Sequence, residues 1–150
     1  MVKRLDEIPR PRLIDHIGWR LTRLSRKWKG EFDAAMVARG HAWMTQAPGQ
    51  IVGHLRETGV PQGELAALMG VSKQAVQQHV DALVELGVVE RVTDAADARS
   101  RIVQLTHKGA QALADANAVK LEIEDRYRAA LGGPAFANLE EALDQLFEME

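Results

Sequence analysis

The chain has 150 residues, 46% of them hydrophobic but only 5% aromatic, and a formal net charge of −2. This suits one globular domain with a core of aliphatic side chains, and the lack of cysteine excludes disulfides, thiolate metal sites and thiol-based redox sensing. The charged start MVKRLDEIPRPR does not read as a signal peptide, and no apolar run approaches the roughly 18 residues of a membrane span, so a cytoplasmic protein without membrane contact is expected.

The charge is polarised along the chain. Residues 1–44 hold ten Lys/Arg and five Asp/Glu, residues 45–108 hold six and seven, and residues 109–150 hold three and nine. Residues 13–39 read as one long helix, because Ile14, Ile17, Leu21, Leu24, Trp28, Phe32 and Met36 step by three and four. Such a helix is about 40 Å long. That is long for so small a domain, so part of its stripe must meet another helix or another chain. Gly40 closes it. Thr45 is the expected N-cap of a second helix, with Pro48 in its first turn and an apolar face of Ile51, Val52 and Leu55. ETGVP (57–61) reads as a turn.

GELAALM (63–69) is a short helix stopped by Gly70, and Ser72 caps a longer one over 73–86, ended by Gly87. VVERV (88–92) and RIVQL (101–105) read as two antiparallel strands of a hairpin. Thr106 caps an Ala-rich helix over about 107–131, which GGP (132–134) breaks. Pro134 opens a last helix with Phe136, Leu139, Leu143 and Leu146 on one face. The stripes at 14–36 and 136–146 are close to heptad spacing, which suits helix–helix packing across a dimer or within one bundle.

Helix, glycine turn, helix and hairpin make a winged helix-turn-helix. Ala66 is the small residue near the turn, Gly70 supplies the turn, and Val71 is expected to plug the space beneath it. Gln74, Gln77, Gln78 and Asp81 share the outer face of the second helix. Glutamine pairs bidentately with adenine in the major groove, although it is also an ordinary surface residue of helices. Lys73, at the first helical position, suits a phosphate oxygen. In the hairpin, Asp97, Arg99 and Arg101 alternate, and Asp97 is expected to hold Arg99 extended for a narrow minor groove, a solvent-facing ion pair being the bland alternative.

The stretch ELAALMGVSKQAVQQHVDALVELGVVERVTDAADARSRIVQLTHKG resembles the MarR-type regulators, named for multiple antibiotic resistance. The likeness rests on ELA in the first helix, L-x-x-x-G-V-V-x-R across the recognition helix and first strand, the D-x-x-D-x-R wing, and L-T-x-x-G opening the next helix. It is close over about residues 62–109, and the order of helices extends it to the whole chain. The resemblance implies a mainly α fold with a small β-hairpin, a winged lobe at about 45–108, and dimerisation helices at about 13–39 and 107–149. It implies a homodimer on a pseudo-palindromic double-stranded DNA operator, acting as a repressor released by a small, often aromatic effector. Carried over to this chain, the reading end of the recognition helix is Ser72, Lys73, Gln74, Gln77 and Gln78. The wing pair is Asp97 and Arg99, with Arg101 beside it. Gln78 and Ala82 depart from the family, where many members have Arg, and so do Gly63, His79 and the near-neutral lobe. Fewer phosphate contacts flatten the salt dependence of binding.

Trp19 and Trp43 are candidates for an aromatic ligand pocket, with Arg20 and Arg23 as carboxylate partners; packing and a solvated face are the alternatives. Arg26 to Lys29 is a basic cluster that could meet DNA backbone. The histidines are scattered without metal-ligand spacing, and no nucleophile elbow or phosphate loop occurs, so neither metal, cofactor nor enzymatic activity is expected. A winged-helix protein-interaction module with weak or lost DNA binding is the rival function.

Overall fold

The computed structural model describes residues 12–149. Among these residues, five α-helices and three short strands form two hydrophobic cores, one in the winged lobe and one between the long helices. The charged start MVKRLDEIPRPR lies, apart from Arg12, outside the described residues.

Helix α1 runs Ile17–Ala38. It starts four residues later than the periodicity suggests, because His16 at its N-cap makes no side-chain cap and Leu13 and Ile14 are exposed. Its apolar stripe is covered from one end only. Met36 is fully buried with Ala116, Val119 and Ile123, and Trp28 and Phe32 pack beside it, stacked on each other at 5.4 Å. Toward the N-terminus Leu24 is 42% exposed and Ile17 64%.

The expected second helix is instead two 3₁₀ segments, Ala42–Thr45 and Ala47–His54. Thr45 does not cap a helix: its hydroxyl donates back to the Ala42 carbonyl at 2.8 Å. Gly49 explains the tight stacking. A Cβ there would lie 2.6 Å from Met44 Cα and 2.7 Å from the Trp43 carbonyl oxygen.

Strand β1 is Val60–Pro61, inside the segment read as a turn. It pairs with β3, Arg101–Leu105, at Val60 opposite Val103, while β2, Val89–Thr93, pairs on the other edge of β3. The sheet is thus three-stranded and antiparallel, ordered β1-β3-β2. Helix α2, Gln62–Met69, ends at Gly70 in the left-handed conformation (φ 65°), and the Val71 N–H donates to the Ala66 carbonyl. Val71 does not plug the turn; its side chain is 38% exposed. Helix α3, Lys73–Glu85, is capped by Ser72 Oγ, which accepts from the Ala75 N–H at 3.1 Å. Val76, Val80 and Leu83 face inward onto Leu65, Ile51 and Val103, forming the core of the lobe.

Helix α4, His107–Leu131, leaves the sheet through a dense junction. Thr106 Oγ1 accepts from the Gly109 N–H at 3.1 Å and donates to the Gly87 carbonyl at 2.7 Å. The Thr106 N–H donates to the Val88 carbonyl at 3.1 Å. This is the physical content of L-T-x-x-G: the threonine caps the helix, and the glycine leaves room for Val88. Helix α5, Gly133–Phe147, starts with Pro134 in its first turn and returns along α4.

Candidate nucleic-acid interface

Helix α3 and the wing frame a groove of about 610 Å³. Lys73 and Gln77 line it from α3, Gln62 and Gly63 from α2, Arg91 from β2, and Arg99, Ser100 and Arg101 from the wing. The groove brings together Lys73, Gln77, Arg99 and Arg101 of the candidate set. Ser72, Gln74, Gln78 and Asp97 are exposed near it but do not line it. Among the described residues, the side chains of Gln74 and Gln78 have no hydrogen-bonded partner, so both can meet a ligand. The helix N-terminus beside Lys73 adds N–H groups suited to a phosphate oxygen.

The wing turn differs from the expected extended arm. Residues 94–100 lie outside both strands. Asp97 does not grip the Arg99 guanidinium. Its carboxylate accepts from the Arg99 backbone N–H at 2.9 Å, and its carbonyl accepts from the Ser100 N–H at 2.9 Å. Asp94 does the same for the Ala96 N–H at 2.8 Å. The two acids are therefore braces of the turn backbone. Among the described residues the Arg99 guanidinium has no partner, whereas Arg101 folds onto Thr93 Oγ1 at 3.0 Å. Aspartate rigidifies the tip, and the tip presents Arg99.

Gln77 stands in a closed ring of side chains that sequence reasoning missed. Gln62 Nε2 donates to Gln77 Oε1 at 2.6 Å, and Gln77 Nε2 donates to both Asp81 carboxylate oxygens at 3.0 and 3.1 Å. Arg91 donates to Asp81 at 2.6 Å and to Gln62 at 2.7 Å. The Arg91 guanidinium, with help from Gln77, holds the Asp81 carboxyl below the usual carboxylate range. The Gln77–Asp81 spacing of four was visible on the helix. The approach of Arg91 and Gln62 comes from tertiary folding, and only the motif position of Arg91 hinted at it.

The candidate ligand residues separate. Trp19, Arg20 and Arg23 share a shallow groove of about 490 Å³ on α1, where the Arg23 guanidinium sits 5.4 Å over the Trp19 ring and Arg20 pairs with Asp15. Trp43 is elsewhere: it packs against the core of the winged lobe. Its neighbour Met44 packs on the helix core instead, so adjacent residues of one 3₁₀ turn tie the two cores together. His41 Nε2 lies 2.7 Å from the Asp115 carboxylate and pins this turn to α4. In the basic cluster, Lys27 pairs with Glu31, and Lys29 with Asp33 at 2.6 Å. A second groove, of about 450 Å³, is apolar and runs between Leu21, Leu24 and Trp28 of α1 and Phe136, Leu139 and Leu143 of α5. Among the described residues no three His, Asp or Glu gather as for a metal ion, and no helix is long and apolar enough to cross a membrane.

Residues 44–100 match the family model of the MarR family. No curated protein sequence matches the chain. Among solved structures, the YusO protein from Bacillus subtilis is 22% identical with a TM-score of 0.72, covering 89% of this chain and 93% of that one. Wild-type MarR from E. coli, in its apo form, is 22% identical with a TM-score of 0.71, covering 90% and 98%. A mutant of S. aureus MepR, solved bound to an oligodeoxyribonucleotide, is 19% identical with a TM-score of 0.65, covering 89% and 97%. These likenesses show a shared fold along nearly the whole of each chain.

Proposed function

We propose that this chain, whose winged-helix lobe matches the MarR family model over residues 44–100, is a dimeric transcriptional repressor of that family whose hold on duplex DNA is loosened by a small ligand. The observation that carries the reading is the groove between α3 and the wing, with Lys73 at one side and the unpartnered Arg99 at the other. In this reading α3 enters the major groove, with Gln74 and Gln78 offering amides to base edges and Ser72 and Lys73 set against the backbone. Arg99 enters the flanking minor groove from a turn already braced by Asp97, so little backbone entropy is lost on binding. Arg101 supports the wing beside it. The DNA-bound MepR relative supports the same use of the fold.

A single recognition helix reads few bases, and two-fold symmetry doubles the site. The uncovered stripe of α1 supports a dimer. Leu21 and Leu24 share an apolar groove with Leu139 and Leu143 of α5, Leu146 and Phe147 farther along α5 are 55% and 86% exposed, and exposed apolar surface of this kind marks a contact. Helices α1, α4 and α5 are the dimerisation region in this reading, and the lobe at about 45–108 is the DNA reader. Ligand control acts by population shift. Trp43 and Met44 lock the lobe to the helix core, so a ligand that moves α1 moves the lobes. An aromatic anion at Trp19, Arg20 and Arg23 fits the chemistry of that surface, with Trp43 acting through the link.

Gel-shift titration of Arg99→Ala and Gln74→Ala tests the proposal: both weaken operator binding, and unchanged binding by both overturns it. The near-neutral lobe favours one rival, a module that binds protein instead of DNA. A salt titration separates them, since DNA binding carries a negative log–log slope and a protein module has none on DNA.

A further inference from the structure

The ring of Gln62, Gln77, Asp81 and Arg91 joins three elements: the start of α2, the outer face of α3 and strand β2. Its direction is fixed. If the Gln77 amide were reversed, its oxygen would face the Asp81 carboxylate and its NH₂ the Gln62 NH₂, both repulsive. Bidentate pairing with adenine needs the amide oxygen and nitrogen of one glutamine together, turned to the base edge. In Gln77 the oxygen already accepts from Gln62 and the nitrogen already donates to Asp81. Turning it toward a base breaks both bonds. Gln74 and Gln78 carry no such constraint among the described residues.

Arg91 is the counterpart. It is a cation in the groove, which the charge pattern alone would count as a phosphate contact. Its guanidinium is turned to Asp81 at 2.6 Å and to Gln62 at 2.7 Å, with its side chain 23% exposed. The pair cancels a carboxylate on the helix face that would otherwise repel phosphates.

Resting on the DNA-binding reading above, we propose that Gln77 and Arg91 are positioning residues of the interface: the ring fixes the recognition helix relative to the wing, and neither side chain reads a base or binds a phosphate. Base discrimination on α3 is left to Gln74 and Gln78, and the cations of the groove free to meet DNA are Lys73, at the backbone, and Arg99, in the minor groove.

The test uses the full chain and a randomised duplex library. Gln62→Ala, Gln77→Ala and Arg91→Met, on three different elements, each weaken binding by roughly 2- to 10-fold, the size of one lost hydrogen bond, and leave the selected base at every position as in the wild type. Gln74→Ala changes the selected base. Arg91→Met leaves the salt slope unchanged, whereas Arg99→Ala reduces it by about 1. A thermal double-mutant cycle without DNA shows Gln77→Ala and Arg91→Met to be non-additive. A changed base preference in Gln77→Ala alone, a flatter slope in Arg91→Met, or an additive cycle overturns the ring's role. A wild type that binds no duplex at any salt overturns the regulator reading and the role assigned here together. A binding wild type with any of the other contrary results overturns the ring alone.

Discussion

Gly109→Ala and Gly30→Ala are the same substitution within a helix, and the packing predicts opposite signs. Helix propensity alone favours Ala over Gly by about 1 kcal/mol at both positions. Gly30 has nothing within 4 Å of the place where a Cβ would stand, so that gain is realised there. At Gly109 the Cβ would stand 3.0 Å from the Val88 carbonyl carbon, nearer still to its oxygen, and 3.0 Å from Leu105 Cδ2. Carbon and carbonyl oxygen approach to about 3.3 Å at best, so α4 must move away from Val88. The Val88 carbonyl cannot yield freely, because it accepts from the Thr106 N–H at 3.1 Å. Overpacking of this kind costs about 3 kcal/mol where backbone has to move, which outweighs the propensity gain and leaves a net loss of about 2 kcal/mol. For a chain of this size the Tm falls by roughly 4–8 °C. Thermal melts of both variants at one protein concentration check it. A Gly109→Ala variant as stabilised as Gly30→Ala would mean that α4 does not seat against Val88 in this way.

Ser72→Ala removes the cap of the recognition helix, costing about 1 kcal/mol, while Ser72→Asp retains most of it; equal melting of all three proteins would contradict the cap. Placing charges in the apolar groove with Leu24→Glu and Leu143→Glu yields monomers in analytical ultracentrifugation at concentrations where the wild type is a dimer, and an unchanged sedimentation coefficient would remove that groove from the interface. The Asp81 carboxyl is held below its usual range by Arg91 and Gln77, so its contribution to stability is present above the unfolded value of about 4 and is lost as pH falls through the lower folded value. The Tm difference between wild type and Asp81→Asn is therefore constant from about pH 7 to 5 and closes only in stronger acid; closure near neutrality refutes the pairing.

Local chemistry was legible in the sequence, and contacts across elements were not. Ser72, Gly70, Thr106 and Pro134 act within a few residues of themselves, and each stands in the structure where its helix begins or ends. β1 was hidden because two residues carry no periodicity, and its pairing depends on Val103, far along the chain. The 3₁₀ segments replaced a helix because Gly49 packs beneath Met44, a contact no propensity encodes. The alternation of Asp97 and Arg99 suggested side chain on side chain, while the turn uses the carboxylate on backbone. Trp43 suited either a pocket or packing from its place in a connector, and the fold packs it, half-buried, against the core of the lobe. The Arg91 ring needed three elements to meet, and only its α3 half lay at readable spacing. The whole apolar stripe of α1 was legible, but only the structure separates its covered half from its open half.

Selection of bound sequences from a random duplex library, with the stoichiometry of the selected complex, tests the central claim most directly. Two recognition helices related by a two-fold axis must meet successive major grooves, about 34 Å apart. The account predicts enrichment of an inverted repeat with half-site centres about 10 base pairs apart, bound by two chains. Enrichment of an asymmetric site bound by one chain, or no enrichment over non-specific DNA, would contradict it.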